Sequence, residues 1–286
     1  MNKFCIITNA DKDENLTVTK SIISYLEARN CVCINATKKN RVDENSVCAD
    51  VTLIPRDAQC AIVLGGDGTI IHTSHVLAPL DIPILGINLG TLGYLAETEK
   101  QDIAQTLDAV INDQYTINER TMIYGKVIKE NKVTYDGIVL NDIVVGRNGF
   151  SRIISLNVYI NDELAQTLRG DGVIISTPTG STGYNLSAGG PVVKPNSNVL
   201  IVTPICAHSI SSTSIVVSAD DKVTVEILKS KKSQEEEAIA SFDGGNGAQM
   251  NMGDTVVISK ASKKTKLIST STKGYFDVLH NKFGNR

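Results

Sequence analysis

The sequence has no excess of positive charge and no long uninterrupted apolar segment. Its 28 Lys and Arg are outnumbered by 31 Asp and Glu, which gives a net charge of −3, so charge supports neither nucleic acid nor a membrane surface as a partner. Residues 76–96 are largely apolar, but Asp81, Asn88, prolines and glycines interrupt them, which argues against a transmembrane helix. The first residues lack the apolar region of a signal peptide. We therefore predict a cytoplasmic protein.

Signatures of several common site types are also missing. Most cysteines lie in apolar, strand-like segments, which suits buried reduced thiols better than a disulfide framework. Cys31 and Cys33 have the wrong spacing for a zinc knuckle or a redox pair. His72 and His75 are three residues apart but lack the glutamate of HExxH, so no catalytic zinc is predicted. Neither G-x-x-x-x-G-K-[ST] nor a complete G-x-G-x-x-G occurs, which excludes the two commonest phosphate-binding fingerprints.

The chain is long enough, at 286 residues, for one large domain or two ordinary ones. In its first part, apolar strand-like segments alternate with segments of helical periodicity, which predicts a doubly wound, mostly parallel α/β sheet over residues 1–113. The predicted strands are 3–8, 31–34, a segment from 60 to the glycines at 65, and 83–87. The predicted helices are 16–29, 69–78 and 100–112.

From about residue 114 the pattern changes to short β-rich segments separated by Gly, Asn and Asp. This pattern predicts an antiparallel, β-rich second domain over residues 114–260. Within it, the charged segment 229–237 is typical of a solvated hairpin tip. The tail, residues 261–286, carries a strand-to-helix pattern and is predicted to return to the first domain.

The central motif of the chain is residues 60–71, CAIVLGGDGTII, where an apolar strand is followed by a Gly-rich turn and the apolar start of a helix. Glycines let a ligand approach the backbone closely, and the N–H groups of such a turn bind anions. We predict a phosphate cradle with Asp67 as its unobstructed carboxylate. The alternative is a tight turn with a surface aspartate. A second Gly-rich turn, 88–93, follows the next strand, where ligands collect in such sheets.

Polar segments of the β-rich half supply further candidates. Asn141 and Asp142 follow a strand-like segment, although such a pair also starts turns, so a structural role is the alternative. Residues 169–172 contain an RGD tripeptide, but adhesion is not expected of a chain without a secretion signal. His208 suits either a satisfied polar residue or a ligand contact.

Residues 176–191, STPTGSTGYNLSAGGP, form the most specific segment of the sequence. Their hydroxyls and glycines suit a polyhydroxylated ligand, and the ring of Tyr184 suits stacking on a base. A purely structural loop is the alternative.

Taken together, these segments resemble bacterial NAD kinases. GGDGT, LNDIVV, RGDG, STPTGSTGYNLSAGGP, TPICAHS, SFDGG and YFDVLHNKFG occur in that order, and the resemblance covers nearly the whole chain. GGDGT alone is shared with lipid kinases and, in related form, with phosphofructokinases. The resemblance implies a phosphotransferase that uses ATP or polyphosphate to phosphorylate the 2′-hydroxyl of the adenosine ribose of NAD. It also implies Mg²⁺ or another divalent cation and a homodimer or homotetramer.

The resemblance further implies roles for individual residues. Asp67 is the expected catalytic base, and it contacts NAD together with Gly68. No protein ligand for a metal is predicted. The donor-phosphate cradle would be formed by Gly65, Gly66, Gly68 and Thr69. The other implied NAD contacts are His72, Asn141, Asp142, Arg152, Arg169, Asp171, Thr182, Gly183, Tyr184, Asn185, Leu186 and Ser187. Further candidate contacts are His208 and Gly245.

Some positions depart from the family pattern. Asp142 stands where the family has Glu, Gly183 where it has Ala, and Gly245 where Gln is common. These changes concern affinity and donor choice more than the reaction itself. Two other functions fit parts of the sequence: a lipid kinase, which would need an apolar substrate channel, and a non-catalytic dinucleotide sensor, which would have no need of Asp67.

Overall fold

The computed structural model describes residues 1–38, 48–90, 93–148, 153–208, 213–228, 238–245, 247–271 and 274–284. The chain forms two compact units: the first comprises Met1–Glu119 and Thr265–Arg286, the second Arg120–Lys264. The predicted domains, 1–113 and 114–260 with a tail from 261, differ from these units by a few residues. Both observed boundaries fall inside long strands, which begin in one unit and continue in the other.

The first unit contains a parallel sheet with helices. Its strands are β1 (Lys3–Thr8), β2 (Val32–Asn35), β3 (Cys60–Gly65), β4 (Ile84–Asn88) and β5 (Thr98–Glu99). Its helices here are α1 (Thr17–Glu27), α2 (Asp67–Leu77) and α3 (Ile103–Ile111). Strand β1 pairs in parallel with β2 and β3, and β4 with β3 and β5. Every residue of β3 and β4 is buried, as expected of apolar strands covered on both faces.

The core of the first unit explains why its helices form where the periodicity predicts them. Ile22 and Leu26 on α1 share one apolar cluster with Leu107 on α3 and with Ile62 and Leu85 of the sheet. Helical stability in proteins comes mainly from packing such an apolar face. The predicted doubly wound α/β class is therefore confirmed for this part of the chain.

The second unit is built from antiparallel strands. Its strands are β6 (Thr116–Lys129), β7 (Lys132–Val139), β8 (Asp142–Arg147), β9 (Ile154–Ile160), β10 (Glu163–Gly170), β11 (Gly172–Ser176), β12 (Val199–Ile205), β13 (Ile215–Ser218), β14 (Val223–Ile227), β15 (Ala238–Phe242), β16 (Gly247–Met250) and β17 (Thr255–Ser269). The order β13-β12-β11-β8-β15-β16 defines one sheet. Strands β10, β9, β14 and the first half of β17 pair in a second set, and β6 pairs with β7. The predicted β-rich class is confirmed. The unit also contains the short helix α4 (Tyr184–Ser187).

The tail returns to the first unit, as predicted. Leu267 of β17 pairs in parallel with Ile84 of β4, and Lys266 forms an ion pair of 2.8 Å with Asp81. Helix α5 (Tyr275–Gly284) follows. The predicted hairpin tip at 229–237 lies outside the described residues. No helix in the described ranges is long and apolar enough to cross a membrane.

Candidate active site

Asp67 is the first residue of α2 and directly follows the turn that leaves β3. A side chain on Gly65 would overlap the side chain of Thr69. The hydroxyl of Thr69 in turn accepts a hydrogen bond of 3.4 Å from the N–H of Gly66. Gly68 is exposed, and a Cβ atom there would meet nothing within 4 Å. The side chain of Thr69 therefore fills the space beside Gly65, whereas the space beside Gly68 is empty.

The carboxylate of Asp67 is fixed by backbone N–H groups from the segment after the second Gly-rich turn. It accepts hydrogen bonds from Tyr94 (2.7 Å), Leu95 (3.0 Å) and Ala96 (3.2 Å). A side chain on Gly93 would overlap this carboxylate, so glycine is required there by space. A carboxylate offers about four acceptor positions, and the three N–H groups therefore leave room for about one further donor. The orientation of the Asp67 carboxylate is therefore fixed, and one further hydrogen-bond donor can still reach it.

His72 lies one and a half turns along α2 from Asp67 and is half-buried. Its ring packs edge-on against His75, with 6.1 Å between ring centroids. The first unit thus brings together Asp67 and the predicted cradle residues Gly65, Gly66 and Thr69 at the N-terminus of one helix.

In the second unit, residues 140–142 lead into β8 and are held by a distant carboxylate. Asp243 accepts hydrogen bonds from the backbone N–H groups of Leu140 (2.7 Å), Asn141 (2.8 Å) and Asp142 (3.0 Å). Asp243 has a left-handed backbone, with φ of 49°, in the SFDGG segment. Gly245 was the residue predicted from that segment, and Asp243 was not predicted, although a carboxylate beside two glycines was the available signal. The backbone N–H of Gly245 donates a hydrogen bond of 3.0 Å to the carbonyl of Phe242, which closes the turn over residues 242–245.

The side chain of Asp142 is only 6% exposed. Burial, and secondarily the negative charge of Asp243, raise the pKa of Asp142 to about 7. A buried carboxyl of this kind is partly protonated near neutral pH, so it can donate a hydrogen bond as well as accept one.

The loop at 176–191 packs on the backbone of residues 140–141. Thr177 donates through its backbone N–H to Asn141 O (2.8 Å) and through its hydroxyl to Leu140 O (2.6 Å). A side chain on Gly180 would overlap the backbone of Asn141. The side-chain oxygen of Asn141 is buried and has no hydrogen-bond partner among the described residues. Such an atom needs a donor, and a ligand hydroxyl would supply one.

Within the loop at 176–191, the residues predicted to contact NAD differ in their burial and in their hydrogen bonds to the rest of the loop. Asn185 is buried, donates to Ser181 O (3.1 Å) and Pro191 O (3.0 Å), and accepts from the Thr203 hydroxyl (2.7 Å). Its side chain therefore holds the loop together. Tyr184, in contrast, is 48% exposed. Thr182 and Leu186 are half-buried, and Gly183 and Ser187 are exposed.

The surroundings of Tyr184 disfavour loss of its phenolic proton. Burial raises the pKa of Tyr184, and the neighbouring acidic groups Cys206, Asp171 and Asp142 raise it further. Asp171 forms an ion pair of 2.9 Å with Arg147. Arg147 and the exposed Cys206 were not among the residues predicted for the site. Arg147 lies in no distinctive pattern, whereas Cys206 lies in the TPICAHS segment, in which only His208 was selected.

The remaining predicted contacts are placed as follows. The backbone N–H of His208 donates to the carbonyl of Arg169 at 2.8 Å, so these two lie together at the end of β10. Arg152 lies outside the described residues. Within the described ranges, no three or more His, Cys, Asp or Glu side chains are arranged to hold a metal ion.

Comparison with known proteins identifies the family to which this chain belongs. The family model described as ATP-NAD kinase N-terminal domain matches residues 4–115, and the ATP-NAD kinase C-terminal domain matches residues 140–270. The chain is 48% identical to an NAD kinase of Lachnoclostridium phytofermentans, over 100% of both chains. It is 39% identical to an NAD kinase of Agathobacter rectalis, over 100% of this chain and 99% of the relative. The chain therefore belongs to the NAD kinase family, and its activity is the phosphorylation of NAD to NADP.

Solved structures share the fold. A yeast NADH kinase crystallised with NADH has a TM-score of 0.86 at 20% identity, covering 99% of this chain and 88% of its own. An Archaeoglobus fulgidus NAD kinase crystallised with ATP has a TM-score of 0.75 at 23% identity, covering 98% of each chain. At these identities the likeness shows the fold alone.

Proposed function

We propose that this chain transfers a phosphate from ATP to the 2′-hydroxyl of the adenosine ribose of NAD, with Asp67 as the base. The observation that carries this proposal is the Asp67 carboxylate, which three backbone N–H groups hold at the N-terminus of α2. A sensor would have no use for a carboxylate fixed at the end of a phosphate-type turn.

Phosphoryl transfer depends mainly on positioning and charge neutralisation. The N–H groups of the turn at 65–69, together with the start of α2, would bind the donor phosphates. Asp67 would orient the attacking hydroxyl and accept its proton. Because the carboxylate is already fixed, little rearrangement is needed at the moment of reaction.

The second unit supplies the groups proposed to bind NAD. The unpaired oxygen of Asn141 suits a ribose hydroxyl, and the partly protonated carboxyl of Asp142 suits a group that both donates and accepts. The exposed ring of Tyr184 suits stacking on a base. We retain His72, Arg152, Arg169, Asp171, Thr182, Gly183, Leu186, Ser187, His208 and Gly245 as proposed contacts.

We propose that Mg²⁺, or another divalent cation, enters as part of the co-substrate, bound to the phosphates of ATP. The described residues offer no group of three His, Cys, Asp or Glu for a resident ion. Mg²⁺ commonly needs only one or two carboxylates besides substrate phosphates, which fits a site whose main carboxylate is Asp67. Polyphosphate is the proposed alternative donor. The proposed setting is a cytoplasmic homo-oligomer that binds neither nucleic acid nor membrane.

A coupled assay tests the function. The protein is incubated with NAD and Mg-ATP, and NADP is followed with an NADP-specific dehydrogenase; polyphosphate replaces ATP in a parallel series. We expect NADP to accumulate only with enzyme, NAD and a donor present. Phosphate transfer to a lipid without NADP would instead favour the lipid kinase, and NAD binding without turnover would favour the sensor.

A further inference from the structure

A short 3-10 turn, Ala10–Lys12, follows β1 and is anchored to both sides of the Gly-rich turn at 65–69. The backbone N–H of Asn9 donates to Leu64 O at 2.9 Å, and its side-chain amide donates to the Thr69 hydroxyl at 3.5 Å. Leu64 precedes the Gly-rich turn and Thr69 ends it. The segment that carries Lys12 is therefore bonded to the strand before the turn and to the helix after it.

The other side of Lys12 is anchored as well. Asp13 is buried, and its carboxylate accepts hydrogen bonds from the N–H groups of Val18 (2.9 Å) and Thr19 (2.9 Å) and from the Thr19 hydroxyl (2.7 Å). The acid beside Lys12 in sequence is thus engaged with the start of α1. Consequently, the backbone at Lys12 is fixed although its side chain is exposed.

The ammonium group of Lys12 lies over the Gly-rich turn. Its Nζ is 3.1 Å from the position that a Cβ atom on Gly66 would occupy. Gly66 has an extended backbone, with φ of −133°, which any residue can adopt. Glycine at this position therefore keeps free the space next to the Lys12 ammonium.

The charge of Lys12 is not neutralised by the described part of the chain. None of the ion pairs between described residues includes Lys12. A cation beside backbone N–H groups and a helix N-terminus attracts a phosphate more strongly than any one of these elements alone.

We propose that Lys12 is a donor-binding residue, whose ammonium contacts the phosphate chain of ATP at the Gly-rich turn. This inference rests on the proposed function of that turn. It assigns Lys12 to the donor and not to NAD, because Lys12 approaches the cradle residue Gly66.

Lys12→Ala tests the assignment, with Lys20→Ala as the matched control. Lys20 is an exposed lysine on α1, in the same unit. Loss of one charged hydrogen bond should raise the KM for ATP by about 10- to 100-fold. The KM for NAD and the thermal midpoint should stay at wild-type values. Lys12→Arg should recover most of the ATP affinity, and Lys20→Ala should behave as wild type.

Binding measurements separate this inference from the proposed function. Calorimetry with a non-hydrolysable ATP analogue should give a dissociation constant raised by the same factor in Lys12→Ala, whether or not NADP is formed. The assignment to Lys12 is overturned if the variant binds the analogue as wild type does, or if only kcat falls, or if the KM for NAD rises instead. Wild-type protein that makes no NADP would contradict the function but not the analogue binding.

Discussion

The direction of the Asp67 carboxylate is set by three backbone N–H groups. Phosphoryl transfer depends mainly on the positioning of the reacting groups and on charge neutralisation. We therefore expect substitutions that turn or displace this carboxylate to lower turnover.

Replacing Asp67 by Asn should remove most turnover, by roughly two to four powers of ten in kcat, while NAD affinity changes by only a few fold. The amide keeps an acceptor oxygen but cannot take up the proton. The coupled NADP assay gives kcat, and calorimetry gives NAD affinity. Because the amide N–H₂ would face backbone N–H groups, the thermal midpoint must be measured too. A folded variant with near-wild-type turnover would contradict the role as base.

Asp142 makes stability depend on pH in an unusual direction for an aspartate. Its pKa is raised from the ordinary 3.8 to about 7 by burial and then by the charge of Asp243. The folded state therefore holds a proton that the unfolded state releases. The stabilising contribution is complete below the unfolded pKa and is lost as pH rises through about 7.

Asp142→Asn should remove this dependence, because the amide resembles the protonated acid at every pH. We expect the thermal midpoint of wild type to fall relative to that of the variant between about pH 5 and pH 8. Thermal unfolding of both proteins in the same buffer series measures the difference. Parallel curves across this range would show that Asp142 is not protonated in the folded protein.

At the scale of elements, the second Gly-rich turn acts as a support for the first. Gly93 leaves room for the Asp67 carboxylate, and the next three residues supply its N–H donors. Gly93→Ala should displace that carboxylate and lower kcat by about 10- to 1,000-fold, since displacements near 1 Å cost about two powers of ten. Steady-state kinetics and thermal melting check this.

Gly90→Ala is the matched control for Gly93→Ala. It lies in the same turn, but a Cβ atom at Gly90 meets nothing within 4 Å, so kcat and the thermal midpoint should stay near wild type. Equal losses in both variants would mean that the turn is sensitive to any substitution. Unchanged activity in Gly93→Ala would mean that the Asp67 geometry is not required.

Element positions followed well from the sequence. The predicted strand 3–8 is observed as Lys3–Thr8 and the predicted helix 16–29 as Thr17–Glu27, because apolar periodicity reports directly on which face is buried. The helix predicted over 69–78 begins at Asp67 instead. Glycine and aspartate are poor helix formers, but Gly66 and Asp67 here occupy the cap and first turn, where they are favoured.

Contacts between distant segments could not be predicted in the same way. The partners of Asp67 lie at 94–96, and those of Asp243 at 140–142. Their donors are backbone N–H groups, which nearly every residue carries, so no residue type in the sequence marks these contacts. Lys12 lies in a short charged segment where nothing distinguishes a ligand-facing lysine from a solvated one.

At the scale of the whole molecule, the family resemblance leads us to expect a homodimer or a tetramer built from dimers. Sedimentation velocity across a concentration series, with activity assayed at the same concentrations, measures this. The expected result is a stable oligomer that carries the activity. A stable monomer with full activity would contradict the expectation.

The way in which the tail completes the first unit sets an order of events during synthesis. Ile84 on β4 pairs with Leu267, and Asp81 forms its ion pair with Lys266, yet the ribosome makes these partners only after the entire second unit. At about 5–20 residues per second, the 183 residues between Ile84 and Leu267 take roughly 9 to 37 seconds to synthesise, and the edge of β4 waits that long for its neighbour. During this interval the first unit, which contains Asp67, lacks the part of its sheet that the tail supplies. An unpaired strand edge is a site at which another chain can pair, so this interval is when the first unit is most open to aggregation.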